Sequence, residues 1–278
     1  MKKNVLITGT SSGLGRSTAL ELAASGWRVF AGVRQVADAE SLAEEAEGNL
    51  VPLQLDVTRR EAVTASIAQL ADATGGKLHG LINNAGVYLG GPLELMRAGE
   101  IEQTFSVNVM GLLHVTQACL PLLRAAQGTL INISSISGLV ALPGVSVYAG
   151  SKHAVEAVTD SLRVELEPFG VKVVAIEPGG ITTPLWQKGA ARDAAMPDDA
   201  ATTALRELYA PLVRLLEKLN AKPGGLPPEA VAKVVIGALE SPRPKNRYLV
   251  GSDAKSLALL RRLPVVLRDR AIAAKVWR

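Results

Sequence analysis

Tyr148 and Lys152 bound the segment Tyr148-Ala-Gly-Ser-Lys152, and Ser135 lies thirteen residues before the tyrosine. Side chains four apart share one face of a helix. An ammonium beside a phenol favours the phenolate, so the spacing predicts a tyrosine pKa drawn down from about 10 toward the range of a general acid or base. The pair is thus a candidate for moving a proton to or from oxygen. With four tyrosines in the chain, one such spacing also arises by coincidence. Its meaning depends on the elements that position it.

Those elements alternate. Asn4 to Thr8 is a short apolar run suited to a buried strand, and a glycine turn leads into a helical pattern from Leu14 to Ala24. Strands follow at Trp27–Val33, Leu50–Leu55, His79–Asn83, Gly128–Ser134, Val171–Glu177 and Arg247–Val250. Helices are predicted at Asp38–Glu47, Arg59–Ala73, about Arg97–Arg124, Val147–Glu167 and Glu229–Leu239. Strands apolar on both faces, alternating with helices, predict an α/β fold: a doubly wound, Rossmann-type parallel sheet. Residues 1–278 read as one domain.

Two regions depart from the alternation. Between Thr182 and Pro228, Pro184, Pro197, Pro211, Pro223, Gly224, Gly225, Pro227 and Pro228 punctuate two helical pieces, an insertion (184–228) at the carboxyl end of a strand, where ligands bind in such sheets. Within it, Leu205 to Leu219 has helical apolar spacing and is predicted to be one helix lying over something. The last stretch, 253–278, carries seven Lys or Arg against two Asp, and Pro264 splits it into two short helices. The net charge of the whole chain is only +4, so the basic balance belongs to this extension. It is no nucleic-acid footprint.

Thr8-Gly9-Thr10-Ser11-Ser12-Gly13-Leu14-Gly15 joins the first strand to the first helix, the place where a nucleotide pyrophosphate is held. Its spacing is Gly-x-x-x-Gly-x-Gly. The second strand ends in Val33-Arg34, where an NAD-preferring site usually has a carboxylate for the ribose 2′-hydroxyl. Arginine pairs instead with a 2′-phosphate, predicting NADP(H) over NAD(H); the plain alternative is a solvated surface arginine. Asp56, ending the third strand, either meets the adenine or caps the helix beginning near Arg59.

Composition excludes other chemistry. The single cysteine, Cys119, in an apolar helical stretch, permits no internal disulfide and reads as a small buried side chain in a cytoplasmic protein. His79, His114 and His153 lack metal-ligand spacing, so no metal site and no catalytic histidine are expected. No stretch of about twenty uninterrupted apolar residues reads as a membrane span.

Taken in order, Thr8-Gly9-x-x-x-Gly13-x-Gly15, Asp56-Val57, Asn83-Asn84-Ala85-Gly86, Asn108, Ser135, Tyr148-x-x-x-Lys152 and Pro178-Gly179-x-x-x-Thr183 resemble the short-chain dehydrogenase/reductase family from Asn4 to about Thr183. The resemblance implies about seven strands and catalytic roles for Asn108, Ser135, Tyr148 and Lys152. Tyr148 would exchange a proton with the reacting oxygen, and Ser135 would position that oxygen. Lys152 would lower the tyrosine pKa and hold the nicotinamide ribose, while Asn108 would help hold a water leading to solvent. Family spacing to the tyrosine selects Ser135 over Ser134. The resemblance places Gly9, Ser11, Ser12, Gly13, Leu14, Gly15, Arg34, Asp56, Val57, Asn84, Ala85, Gly86, Tyr148, Lys152, Pro178, Gly179, Ile181 and Thr183 around the cofactor. Ile181 and Thr183 would lie near the carboxamide.

The expected reaction is hydride transfer between an alcohol and a ketone or aldehyde. Leu185, Trp186, Met196, Leu205, Leu208, Tyr209, Leu212 and Leu216 form an apolar supply with few charges, which favours a hydrophobic substrate; packing of the insertion on the sheet would use the same residues. Val29 to Arg34 and the extension look like the hydroxysteroid and retinol dehydrogenase side of the family. Family habit adds a homodimer or homotetramer. The basic tail is expected to pack an apolar stripe on the body, with membrane-surface contact the alternative. A non-catalytic NADP(H) redox sensor, or a nucleotide-sugar epimerase on the same fold, are the competing functions.

Overall fold

Short Val-, Leu- and Ile-rich runs bury both faces of a strand, and seven of them assemble here. The computed structural model describes residues 2–46, 48–183, 199–221 and 224–277. The strands are β1 (Asn4–Thr8), β2 (Arg28–Val33), β3 (Leu50–Gln54), β4 (Gly80–Asn83), β5 (Thr129–Ile133), β6 (Lys172–Pro178) and β7 (Arg247–Val250). They form one sheet in the order β3-β2-β1-β4-β5-β6-β7, and every neighbouring pair is parallel. The chain builds outward from β1 to β3, returns past β1, and builds the other way from β4. That reversal opens a crevice at the carboxyl ends of β1 and β4, the expected ligand position in an open α/β sheet.

Helices cover both faces. Alternation along β1 sends Val5 and Ile7 to one layer and Leu6 to the other. The first layer holds α1 (Gly13–Ala24), α2 (Val36–Glu45) and α9 (Pro228–Glu240), through Leu22, Leu42, Val231 and Val235. The second holds α3 (Arg60–Thr74), α5 (Leu112–Ala126) and α6 (Ser146–Glu165) against Leu6, Phe30, Leu81 and Leu130. Each such fully buried side chain contributes about 2 kcal/mol of apolar burial.

The helical stretch expected from Arg97 to Arg124 is interrupted. It runs as α4 (Ala98–Phe105), a π-helical segment (Ser106–Gly111) and α5. At 29 residues, Ala98–Ala126 is long and apolar enough by length and composition to cross a membrane. In this fold its Val115, Cys119 and Leu123 are buried against the sheet. Cys119 is fully buried, and its burial pushes the thiol far above the ordinary range.

The stretch Leu205–Leu219, expected as one helix, is divided between α7 (Ala200–Leu208) and α8 (Ala210–Ala221). Pro211 is the reason, since a residue without an N–H is tolerated in a first turn but not inside a helix. Leu208, expected to face the body, is 72% exposed, whereas Leu212 and Leu216 are buried. Leu185, Trp186 and Met196 lie outside the described residues. Beyond β7 come α10 (Ser252–Leu260) and α11 (Val265–Trp277), separated at Pro264. Val276 of α11 packs on Leu212 and Leu216 of α8, but Leu263, Val265, Val266 and Leu267 are exposed. The tail therefore docks at its two ends, through Ala254 and Val276, and not along the whole apolar stripe expected.

Candidate active site

The glycine turn after β1 is built for close approach. Gly9 and Gly13 have φ of +70° and +57°, which favours glycine at both. A Cβ on Gly9 would stand 2.8 Å from Ala85 Cα, and one on Gly15 would overlap Gly9 O and Asn84 Nδ2. The N-cap residue of α1, Ser12, makes no side-chain capping bond. The helix thus presents its first N–H groups and its positive dipole end beside a bare backbone cradle, chemistry that suits a phosphate. Ser11 is exposed there, and Leu14 is buried beneath.

The turn after β4 locks onto this cradle. Asn84 Nδ2 donates to Thr8 O (2.9 Å) and Gly9 O (3.0 Å). Thr8 Oγ1 in return accepts from the N–H groups of Asn84 (3.0 Å) and Ala85 (2.9 Å). Asn83 reaches sideways to Asn132 (2.9 Å) and Thr116 (2.8 Å), a buried polar ladder between β4, β5 and α5. Gly86 opens toward the catalytic candidates: a Cβ there would lie 3.4 Å from Asn108 Oδ1 and 3.9 Å from Lys152 Nζ.

On the other flank, Arg34 follows β2 directly. It is exposed and has no ion pair among the described residues. Asp56 does not cap α3, whose N-cap residue is Arg59. Its Oδ1 accepts from Thr58 N (3.0 Å) and Thr58 Oγ1 (2.7 Å), closing a local turn. The capping alternative is thereby corrected: with two residues between Asp56 and Arg59, the carboxylate serves the turn that precedes the helix. Val57 is buried against Gly111 of the π-helical segment.

Ser135, Tyr148 and Lys152 meet past the end of β5. Tyr148 and Lys152 lie on consecutive turns of α6, with Lys152 Nζ 5.8 Å from the phenol ring centroid. Lys152 is 6% exposed, and its Nζ donates to Ile133 O at 2.8 Å. Ser135 Oγ accepts from Ser137 N (3.1 Å) and is hydrogen-bonded to Tyr148. Ser134 points elsewhere: its Oγ is buried beneath Gly138 with no hydrogen-bond partner among the described residues. Asn108 sits in the π-helical segment, where Oδ1 accepts from Val87 N (2.8 Å) while Nδ2 donates to Val87 O (3.0 Å) and Ser151 Oγ (3.0 Å).

The electrostatics correct one expectation. Burial pushes the Tyr148 phenol up to about 12, and the Ser135 hydrogen bond offsets this only in part. Burial likewise brings the Lys152 ammonium down to about 8, against the attraction of Glu156 one turn along α6. Lysine proximity does not lower the tyrosine pKa here, because desolvation of the phenol outweighs the Ser135 hydrogen bond that opposes it. Behind Lys152, Glu156 shares Arg247 with Glu177 (2.5 Å) and Asp160 (2.6 Å).

The loop after β6 closes the far side. Pro178 ends the strand, and Gly179 N donates to Val250 O at 2.9 Å. Ile181 bridges to Leu226, and Thr183 comes over the glycine turn, 3.2 Å from where a Cβ on Gly13 would stand. Sequence reasoning missed Tyr88, which packs edge-on against Tyr148 with centroids 5.1 Å apart. Its place two residues after Gly86 was the available signal. It also missed the Gly144 turn, which Leu216 of α8 covers; Tyr209, counted in the apolar supply, donates its OH to Glu94 at 3.1 Å.

All three histidines engage backbone groups, at Asn4, Val57 and Ala149. Among the described residues no group of three metal-ligating side chains comes together.

Comparison with known proteins places this geometry. The chain is 37% identical over 251 residues to an NADPH-dependent 3-dehydrocapnine reductase of Ornithobacterium rhinotracheale, covering 88% of this chain and 87% of that protein. It is 38% identical over 280 residues to retinol dehydrogenase 7 of Rattus norvegicus, covering 97% and 86%. A short chain dehydrogenase from Burkholderia cenocepacia J2315, solved in complex with NADP, superposes with a TM-score of 0.76 at 25% identity, covering 100% and 98%. The family model described as short chain dehydrogenase matches residues 3–194, and this chain, an oxidoreductase by that membership, belongs to the short chain dehydrogenase family.

Proposed function

We propose that the protein reduces a hydrophobic ketone or aldehyde, or oxidises the corresponding alcohol, with NADP(H). The observation that carries this reading is the convergence of Ser135, Tyr148 and Lys152 on the side of the crevice that faces the glycine cradle. The dinucleotide, when bound, supplies or accepts the hydride. Gly9, Gly13 and Gly15 would take its phosphates against the N-terminus of α1, with Asn84 holding that turn in place. Arg34, exposed beside the cradle, would pair with a 2′-phosphate, and the NADP-bound and NADPH-dependent relatives support the same preference.

A phenol held near 12 is protonated at neutral pH, so Tyr148 is poised as a proton donor to a carbonyl oxygen. Ser135 orients that oxygen. Lys152 supplies positive charge where the oxygen becomes negative. Asn108 holds the π-helical segment to Val87 and Ser151, beside the lysine. Tyr88 lays aromatic surface against the phenol and Leu216 covers the Gly144 turn four residues before it, which favours a hydrophobic substrate over a sugar or acid. Retention of the three reacting side chains speaks against a redox sensor. A cytoplasmic homodimer or homotetramer, the family habit, completes the reading.

The test is NADPH oxidation, followed at the absorbance of the reduced cofactor, against a panel of ketones and aldehydes that includes steroids and retinal. Turnover of apolar carbonyls above polar ones is the expected result. No turnover of any carbonyl or alcohol with either dinucleotide would end the reading.

A further inference from the structure

The loop that leaves β6 is held from outside the sheet's own motifs. Gly180 N donates to Asp253 Oδ2 at 2.7 Å, and Asp253 lies in the first turn of α10, in the extension after β7. Its carboxylate fills the space beside two glycines. A Cβ on Gly179 or on Gly251 would collide with it, and Gly251 has a φ of +109° that favours glycine. Leu226 grips the same loop from the other edge: it donates to Gly180 O (3.0 Å) and accepts from Thr182 N (3.0 Å). Held on both sides, the loop delivers Thr183 against Gly13 at the start of α1. A line of direct contacts therefore joins a surface carboxylate of the extension to the glycine cradle.

The sheet order says which half of a dinucleotide this line serves. Arg34 follows β2, on one side of the β1 turn, whereas the loop follows β6, beside the β5 end that carries Ser135. We infer that Asp253 is a positioning residue for the nicotinamide half of the cofactor, acting through loop 179–183. The inference rests on the dinucleotide reading above. Asp253 is exposed, so its carboxylate contributes little apolar burial. Its energetic effect is concentrated in a charge-assisted acceptor for one backbone N–H, and that bond orders the loop.

The test uses the full chain and two ligands, NADPH and adenosine 2′,5′-bisphosphate, which carries the adenosine half without nicotinamide. Asp253→Ala should weaken NADPH about tenfold and leave the bisphosphate within about twofold. Asp253→Asn keeps an acceptor oxygen and should recover most of the loss. Gly179→Ala, which displaces the carboxylate without removing it, should reproduce the alanine split and serves equally if Asp253→Ala does not fold. Unchanged NADPH affinity in Asp253→Ala and Gly179→Ala, or equal loss of both ligands, overturns the inference while wild-type binding leaves the site reading intact. A wild type that binds neither ligand overturns both.

Discussion

Replacing Lys152 by Met should abolish turnover yet stabilise the fold at neutral pH, because the ammonium is held where water cannot reach it. Lys152 is 6% exposed, and its pKa falls from 10.5 to about 8 with burial as the main cause. At about 1.4 kcal/mol per pKa unit, the charged form costs the folded state about 3 kcal/mol relative to the neutral amine. That cost is full below pH 8, where both states keep the proton. Between about 8 and 10.5 the unfolded chain binds more protons than the folded one, so this group makes stability rise with pH across that window. Above 10.5 the cost is gone. Tyr148 acts oppositely at higher pH: its unfolded phenol ionises first, near 10, against about 12 in the fold, so stability falls above 10.

Methionine has no titration and resembles the lysine stem, so the difference between the two proteins isolates Lys152. Loss of the Nζ bond to Ile133 O subtracts about 1 kcal/mol at every pH. The variant should therefore be about 2 kcal/mol more stable at pH 7 and about 1 kcal/mol less stable above 10.5. Guanidinium unfolding followed by tryptophan fluorescence from pH 7 to 11 measures it. A stability difference that stays flat with pH, or that changes in the opposite direction, refutes a desolvated lysine.

Three further outcomes follow from the site. Tyr148→Phe should lower turnover by at least about a hundredfold while NADPH affinity stays within about threefold; activity within a fewfold of wild type would remove Tyr148 from the chemistry. Arg34→Ala should weaken NADPH about tenfold and leave NADH unchanged, measured as paired dissociation constants, since a charge-assisted bond to an exposed phosphate sits at the low end of its range. Val276→Asp buries a charge against Leu212 and Leu216 at a cost of at least about 2 kcal/mol. It should speed proteolysis within 252–277 and raise KM for apolar carbonyls, with NADPH binding intact; unchanged proteolysis would show that α11 does not brace α8.

Most of the architecture was legible because strands buried on both faces leave a compositional mark that needs no tertiary information. Asn4–Thr8 and Arg247–Val250 were read to the residue. The insertion was harder, since Pro211 allows either a kinked helix or a new one, and only packing chose the second. Site residues in tight local patterns, such as Gly9-x-x-x-Gly13-x-Gly15, could be found by spacing. Asp253 could not, because its partner, Gly180, lies 73 positions away, and the packing of Tyr88 on Tyr148 across 60 positions showed only in the fold.

Sequence by itself determined the order of strands and helices, the glycine turn, and the Tyr148/Lys152 pair one helical turn apart, all consequences of local periodicity and residue chemistry. Tertiary structure decided which end of the sheet collects Ser135, Gly86 and Asn108 around that pair, and how the extension reaches back to Gly180. It also decided the protonation of the pair. Proximity of an ammonium argues for a lowered phenol pKa, but burial depends on every element packed above, and burial raised it.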